Sequence, residues 1–392
     1  MAPGIRATSN ESGRFDNMKI AVPSLAAASL AAGALMLPLA AQAQFGPSGE
    51  PQMRGDGPPP ADSPFRIDKR DPALDDLIAP DAELVEVARG FGLNEGVTWV
   101  PDGESGYVLV SGLLDNVVYK VTPDGQVTSF IENAGFTGSD PSNTGFQTRS
   151  GRSHVLLIGP SCTGLDSQGR IIWCADNDNR LMRLEKDGSH TVLAAWGPDE
   201  KHLTSPNDIT VLKDDTIYIA TNQFGFRNAV VPEGYLDHGV WMLKDGRLSL
   251  ALSVEDLGSV PNGITVSPDE KYMYLSAMFK LVRYQIMPDG TLANRWEMGE
   301  GEGIIDGMKV DTLGNIYSTG GAGPGVVRIT SPEGKVLGYL RLPVESAEPK
   351  RQICATNLAF GGKDNRTLFI AACDALYSVP TKITGVAQGP RR

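Results

Sequence analysis

The sequence predicts an all-β fold: a six-bladed β-propeller with four-stranded antiparallel blades, its ring closed by an N-terminal strand. Three observations carry that expectation. From residue 81 onward, short runs of Val, Ile, Leu and aromatic residues alternate with Gly, Asp and Asn turns, and no stretch has a helical period. One layout then recurs six times, each time as a polar residue, alternating apolar positions, a turn and a second apolar strand. Finally, the sixth repeat runs out of chain before its outer strand. The segment Glu83-Leu84-Val85-Glu86-Val87-Ala88, ahead of the first repeat, has no blade of its own and is expected to supply it.

Taken in order, the 392 residues begin with an extension and signal peptide over 1–43. Met18-Lys19 starts a short basic stretch, an apolar run covers 20–39, and Ala41-Gln42-Ala43 gives a small-x-small cleavage pattern. Pro23 and Pro38 interrupt the run, which favours a cleaved signal over a membrane anchor. A periplasmic or secreted location is therefore expected, with no stable anchor after cleavage. Residues 44–80 are rich in Pro, Gly and Asp and read as a flexible leader. The propeller is placed at 81–383 and a C-terminal tail at 384–392.

The repeats open at Glu95-Gly96-Val97, Thr163-Gly164-Leu165, Asn207-Asp208-Ile209, Asn262-Gly263-Ile264, Asp306-Gly307-Met308 and Thr356-Asn357-Leu358. Each leads into a second strand, the first at 107–111 and the last at 367–371. The net charge of −12 and the absence of a basic run exclude nucleic acid as a partner. The composition, 41% hydrophobic and 21% charged, is that of a globular chain. Its 45 Gly and 27 Pro suit a fold full of tight turns.

The first residue of each repeat occupies one equivalent position: Glu95, Thr163, Asn207, Asn262, Asp306 and Thr356. In a propeller the innermost strands surround the central channel, so these side chains are expected to converge at its mouth. Two carboxylates and two amides suit a hard cation with six to eight oxygen ligands, Ca2+ above all. Mg2+ and Mn2+ share that preference. Zn2+ is a more distant alternative, because no His or Cys stands at this register. Asn-Gly and Asp-Gly pairs also form ordinary turns, so the argument rests on four donors sharing one register.

These segments resemble the gluconolactonase/regucalcin family, also called the senescence marker protein family. Glu95-Gly96-Val97-Thr98-Trp99 is similar to its opening motif, and Ser205-Pro206-Asn207-Asp208 to that of its bacterial branch. Pro261-Asn262-Gly263-Ile264, Asp306-Gly307-Met308-Lys309 and Thr356-Asn357-Leu358-Ala359-Phe360 follow in the family's order. The resemblance runs from about residue 81 to 380. It implies a six-bladed propeller with a divalent cation, usually calcium, ligated by Glu95, Asn207, Asn262 and Asp306. It also implies hydrolysis of a small lactone or ester. The cation would polarise the carbonyl, and Asp306 would serve as general base or, alternatively, as nucleophile.

The sequence departs from the family at several points. Ser205 stands where animal members carry Arg, Thr163 where the family has Asn, and Asn222 and Ala277 where many relatives have Asp. Phe224, Phe226, Arg227 and Phe279 are expected to line a less polar, substrate-binding mouth. Two further readings stay open. One is a non-catalytic propeller that binds a ligand or protein around a structural calcium; the other, a quinone-dependent redox propeller, ranks last.

Four cysteines form two pairs, Cys162 with Cys174 and Cys354 with Cys373. Each pair lies equidistant from a hairpin turn, so cross-strand disulfides are expected, with buried thiols as the alternative. The four His fall outside the ring register and no Gly-x-Ser-x-Gly accompanies them, which leaves a Ser-His-Asp hydrolase unsupported. His202 and His238 lie in connections that could reach the mouth. The insert at 135–161 is long enough to cover the mouth or to hang from the rim.

Overall fold

The structure is a computed structural model, and it describes residues 62–103, 105–149, 153–320, 325–343 and 354–389. The signal peptide and residues 44–61 of the leader lie outside the described residues.

Six antiparallel sheets form the ring. Blade one comprises Asn94–Asp102, Ser105–Gly112, Val117–Val121 and Val127–Glu132. Blade two comprises Thr163–Leu165, Ile171–Ala175, Arg180–Leu184 and His190–Ala194. Blade three runs from Pro206–Val211 through Ile217–Thr221 and Gly239–Lys244 to Arg247–Ser253. Blade four runs from Pro261–Val266 through Tyr272–Ala277 and Lys280–Ile286 to Leu292–Glu300. Blade five contains Met308–Val310, Ile316–Thr319, Val326–Thr330 and Val336–Arg341. Blade six contains Asn357–Gly361, Thr367–Ala372 and Ala375–Pro380.

Blade six takes its outer strand from the N-terminal side. Val85–Arg89 pairs antiparallel with Ala375–Pro380, so the two ends of the chain meet in one sheet, as the repeat pattern requires. The innermost strands contact one another in sequence order, and the sixth returns to the first. Apolar side chains fill the wedges between blades; Trp173, Tyr218, Tyr317 and Leu109 are almost wholly buried.

The leader differs from its expectation. Arg66–Lys69 adds a fifth strand to the outer edge of blade five, and Pro72–Asp76 forms a 3-10 turn capped by Asp71. Leu74, Leu77 and Ile78, each 3% exposed or less, enter the core of blades five and six. Pro and Asp dominate the composition there, but three apolar side chains on one short turn are enough to dock it. The tail docks as well. Val386 N–H donates to Val310 O and Gly385 N–H to Asn365 O, which lays the tail beside the innermost strand of blade five.

The structure joins Cys162 to Cys174 and Cys354 to Cys373. The insert forms a hairpin of Phe146–Arg149 and Ser153–Leu156 and is tied to blade three. Gly145 N–H donates to Gly225 O at 2.8 Å, and Arg227 N–H to Asn143 O at 2.9 Å.

Candidate active site at the channel mouth

Local backbone irregularity aims the mouth residues. In blades one, three and four the pairing register jumps from Glu95 to Val97, from Pro206 to Asp208 and from Pro261 to Ile264. Such bulges turn a side chain out of the strand's alternation. Asp306 stands two residues ahead of its innermost strand, with its N–H donating to Thr319 O at 3.0 Å. Neighbouring blades come very close here. A Cβ on Gly263 would lie 2.0 Å from Asp306 O, a position only glycine can occupy.

The six register positions divide into two kinds. Glu95, Asn207, Asn262 and Asp306 are all half-buried. Thr163 and Thr356 are buried and satisfied within the ring. Thr163 Oγ1 donates to Gly96 O at 2.9 Å, and Thr356 Oγ1 to Asn94 O at 2.8 Å. The threonines therefore bolt one blade to the next, whereas the four stronger donors are half-buried.

Two further carboxylates join the cluster that the repeat register did not single out. Burial pushes the Glu95 carboxyl well above the usual carboxylate range, and the negative charges of Asp306, Asp208 and Asp176 push it further. Asp176 is likewise held well above that range by burial, against the hydrogen bonds from Ser161. Burial also raises Asp208, opposed by the charge of Lys309 and by the N–H groups of Ile264 and Ile209. Asp208 stitches blade three to blade four, accepting from Ile264 N–H at 3.1 Å. Asp176 directly follows the second strand of blade two. That is the position at which the sequence departs from the family at Asn222 and Ala277, and reading it around all six blades would have found Asp176.

Ser161 ties Asp176 to Asn207. Its Oγ lies 2.5 Å from Asp176 Oδ1, 2.7 Å from Asn207 O and 3.1 Å from Pro206 O. One hydroxyl proton cannot serve three acceptors. The set closes when Asp176 carries a proton and donates it to Ser161, which then donates to Asn207 O. The burial that raises the Asp176 pKa favours the same state. In contrast, Asn262 Oδ1 is buried with no hydrogen-bond partner. Two carboxylates, two amides and an unpartnered Asn262 oxygen have the donor chemistry of a hard divalent cation. Among the described residues, however, no three His, Cys, Asp or Glu side chains are grouped so as to hold a metal ion.

The expected substrate-lining residues sit on rim loops. Phe224 is half-buried, its N–H donating to Asn222 Oδ1 at 3.0 Å. Phe279 is half-buried in the turn after the second strand of blade four, and its carbonyl accepts from Gly301 N–H. Arg227 is exposed. Phe226 is buried and meets Tyr235 edge-on at 5.1 Å. His202 lies between the rings of Trp196 and Tyr235, with centroids at 3.5 and 5.2 Å. Burial lowers the pKa of His238.

Residues 93–374 match the family model described as the SMP-30/Gluconolactonase/LRE-like region. The chain belongs to this family. Within the SMP-30/gluconolactonase family, it is 28% identical over 340 residues to a gluconolactonase of Zymomonas mobilis, covering 82% of this chain and 87% of that one. The regucalcin of Danio rerio is 35% identical over 118 residues, which is 28% of this chain and 37% of that protein. A solved gluconolactonase structure from Xanthomonas campestris shares the fold, with a TM-score of 0.65 and 23% identity over 83% of this chain and 99% of that one.

Proposed function

We propose that the protein is an exported, divalent-cation-dependent lactone hydrolase acting at the channel mouth. The observation that carries this reading is the register itself. Glu95, Asn207, Asn262 and Asp306 are four half-buried oxygen donors at equivalent positions of four repeats, with the Asn262 side-chain oxygen buried and unpartnered. These four residues would hold the cation, and Ca2+ fits the all-oxygen donor set best. When bound, it supplies Lewis-acid polarisation of the lactone carbonyl. The gluconolactonase of Zymomonas mobilis, matched along most of both chains, supports a lactone as the substrate class.

The chain's own groups then divide the remaining work. Ser161, anchored by Asp176, fixes the backbone at Asn207. The rings of Phe224 and Phe279 give the mouth apolar walls that favour a compact organic ring over water. Asp306 accepts the proton of the attacking water as general base. Two disulfides and the signal-like N-terminus support an oxidising compartment, periplasmic or extracellular.

The Asp306→Asn variant tests the assignment. It keeps a neutral oxygen donor in place and removes the base, so turnover of aldonolactones is expected to fall about a hundredfold or more while the variant stays folded. An Asp306→Asn protein with full turnover would remove Asp306 from the mechanism.

A further inference from the structure

Where blades two and three join, the rim carries a stack of aromatic rings that the mouth chemistry does not use. Trp196 and His202 pair as antiparallel neighbours, and His202 pairs in parallel with Tyr235. Backbone hydrogen bonds hold these pairings. Leu203 N–H donates to Ala195 O, His202 N–H to Gly234 O and Leu236 N–H to His202 O, at 2.9, 2.9 and 2.8 Å. Cross-strand neighbours project their side chains from one face, so the three rings come together. The centroids of Trp196 and His202 are 3.5 Å apart, and His202 stacks on Tyr235 at 5.2 Å. Phe226 closes the inner end, meeting Tyr235 edge-on at 5.1 Å.

The outer end of the stack is open. Phe226 is 6% exposed, whereas Trp196 is 56% exposed even with His202 against its indole. Single apolar side chains on a surface are ordinary, but an indole already ordered by a backbone-paired stack loses little freedom when a ligand settles on it. Its surroundings are polar. The turn after Trp196 is closed by Gly197 N–H donating to Lys201 O at 2.9 Å, and it carries Asp199, Glu200 and Lys201, all exposed. The stack stands at the mouth end of blade three. The segment with Trp196 and His202 leads into Pro206, and the loop with Phe226 and Tyr235 leaves from Thr221, the residue paired with Pro206.

We propose that Trp196 is a docking platform for a neutral carbohydrate, with a sugar ring stacking on the exposed indole as the next member of the row. The face of an aromatic ring is electron-rich, and the C–H groups along one face of a pyranose meet it with partial positive charge. The sugar's hydroxyls donate to the carboxylates of Asp199 and Glu200 and accept from the Lys201 ammonium. A protein partner or a lipid surface asks instead for a broad apolar area, which three consecutive charged residues interrupt here. Nucleotides and other polyanions are opposed by the two carboxylates and by the net charge of −12. Docking at the rim does not depend on the hydrolase reading.

The test titrates the mature protein with cellotetraose, maltotetraose and N-acetylchitotetraose, read by tryptophan fluorescence and by calorimetry. At least one sugar is expected to bind saturably. Trp196→Ala is expected to weaken that binding about tenfold or more, and Trp196→Phe, which keeps a smaller ring, about threefold. Trp296→Ala, at another exposed tryptophan, is expected to bind as the wild type does. Thermal melts of the variants show that each is folded. No saturable binding of any of the three sugars, or equal binding by wild type and Trp196→Ala, would overturn the proposal. Saturation by indole without a response to any sugar would give the platform to an aromatic ligand. A dimer in sedimentation that Trp196→Ala dissolves, with no sugar bound, would give it to a second copy of the chain. Either result would also overturn the carbohydrate assignment.

Discussion

At the scale of single residues, the fold brings four carboxylates, Glu95, Asp306, Asp208 and Asp176, within electrostatic reach of one another. Glu95 faces Asp306, Asp208 and Asp176, and Lys309 is a cation that acts on this group through Asp208. Removing one carboxylate relieves the repulsion. Glu95→Gln is therefore expected to stabilise the EDTA-treated protein by roughly 1 kcal/mol or more, because it removes both a buried charge and its repulsion from neighbouring carboxylates. The same variant is expected to lose most of the stabilisation that calcium gives the wild type, about 2.7 kcal/mol at a hundredfold excess over Kd. Thermal melts with EDTA and with calcium read both effects.

Asp176 offers a pH test with a definite sign. Its folded-state pKa is raised by burial, so its favourable contribution is complete below the ordinary carboxylate value of about 4 and is lost as pH rises through the folded value. Asn at this position stays neutral and can still donate to Ser161 Oγ. The stability of Asp176→Asn relative to wild type is thus expected to grow as pH rises from about 4. A difference that stays constant across that range would show that Asp176 is not held protonated.

At the scale of elements, the register of the repeats was legible in the sequence and the contributions from outside it were not. Glu95, Asn207, Asn262 and Asp306 stand out because each opens a repeat, and a repeat compares every blade with the other five. Ser161 lies in the connection ahead of blade two and Asp176 just after its second strand, so neither shares that position. The leader was misread for a different reason. Composition averages over many residues, whereas docking depends on a few: Leu74, Leu77 and Ile78 sit on one turn and find the core of blades five and six. Leu74→Ala is expected to cost about 2–4 kcal/mol in chemical denaturation, as a buried core leucine would and a residue in a flexible leader would not. The disulfides act on this scale too. Cys373 O accepts from Asn94 N–H at 2.7 Å, and Cys354 lies two residues before Thr356, whose hydroxyl holds Asn94 O. The Cys354–Cys373 bond thus braces the strand that carries Glu95. Its replacement by two serines is expected to cost about 3 kcal/mol for a sequence separation of 19.

At the scale of the whole molecule, the ring explains why the mouth exists at all. Six blades can be counted from the sequence, and the missing strand of the last one points to residues 83–88. Closure by Val85–Arg89 removes the exposed edges that an open six-sheet array would present. It also fixes Glu95, just downstream of that strand, within electrostatic reach of carboxylates from blades two, three and five. Less visible in the sequence was the electrostatics that closure creates. Carboxylates far apart along the chain become neighbours only once the ring is complete, and their mutual repulsion is a property of the assembled mouth. The most direct test is turnover of aldonolactones by the mature protein, first stripped with EDTA and then resupplied with Ca2+. Activity that disappears with EDTA and returns with Ca2+ is the predicted result; turnover that persists unchanged after complete metal removal would contradict it.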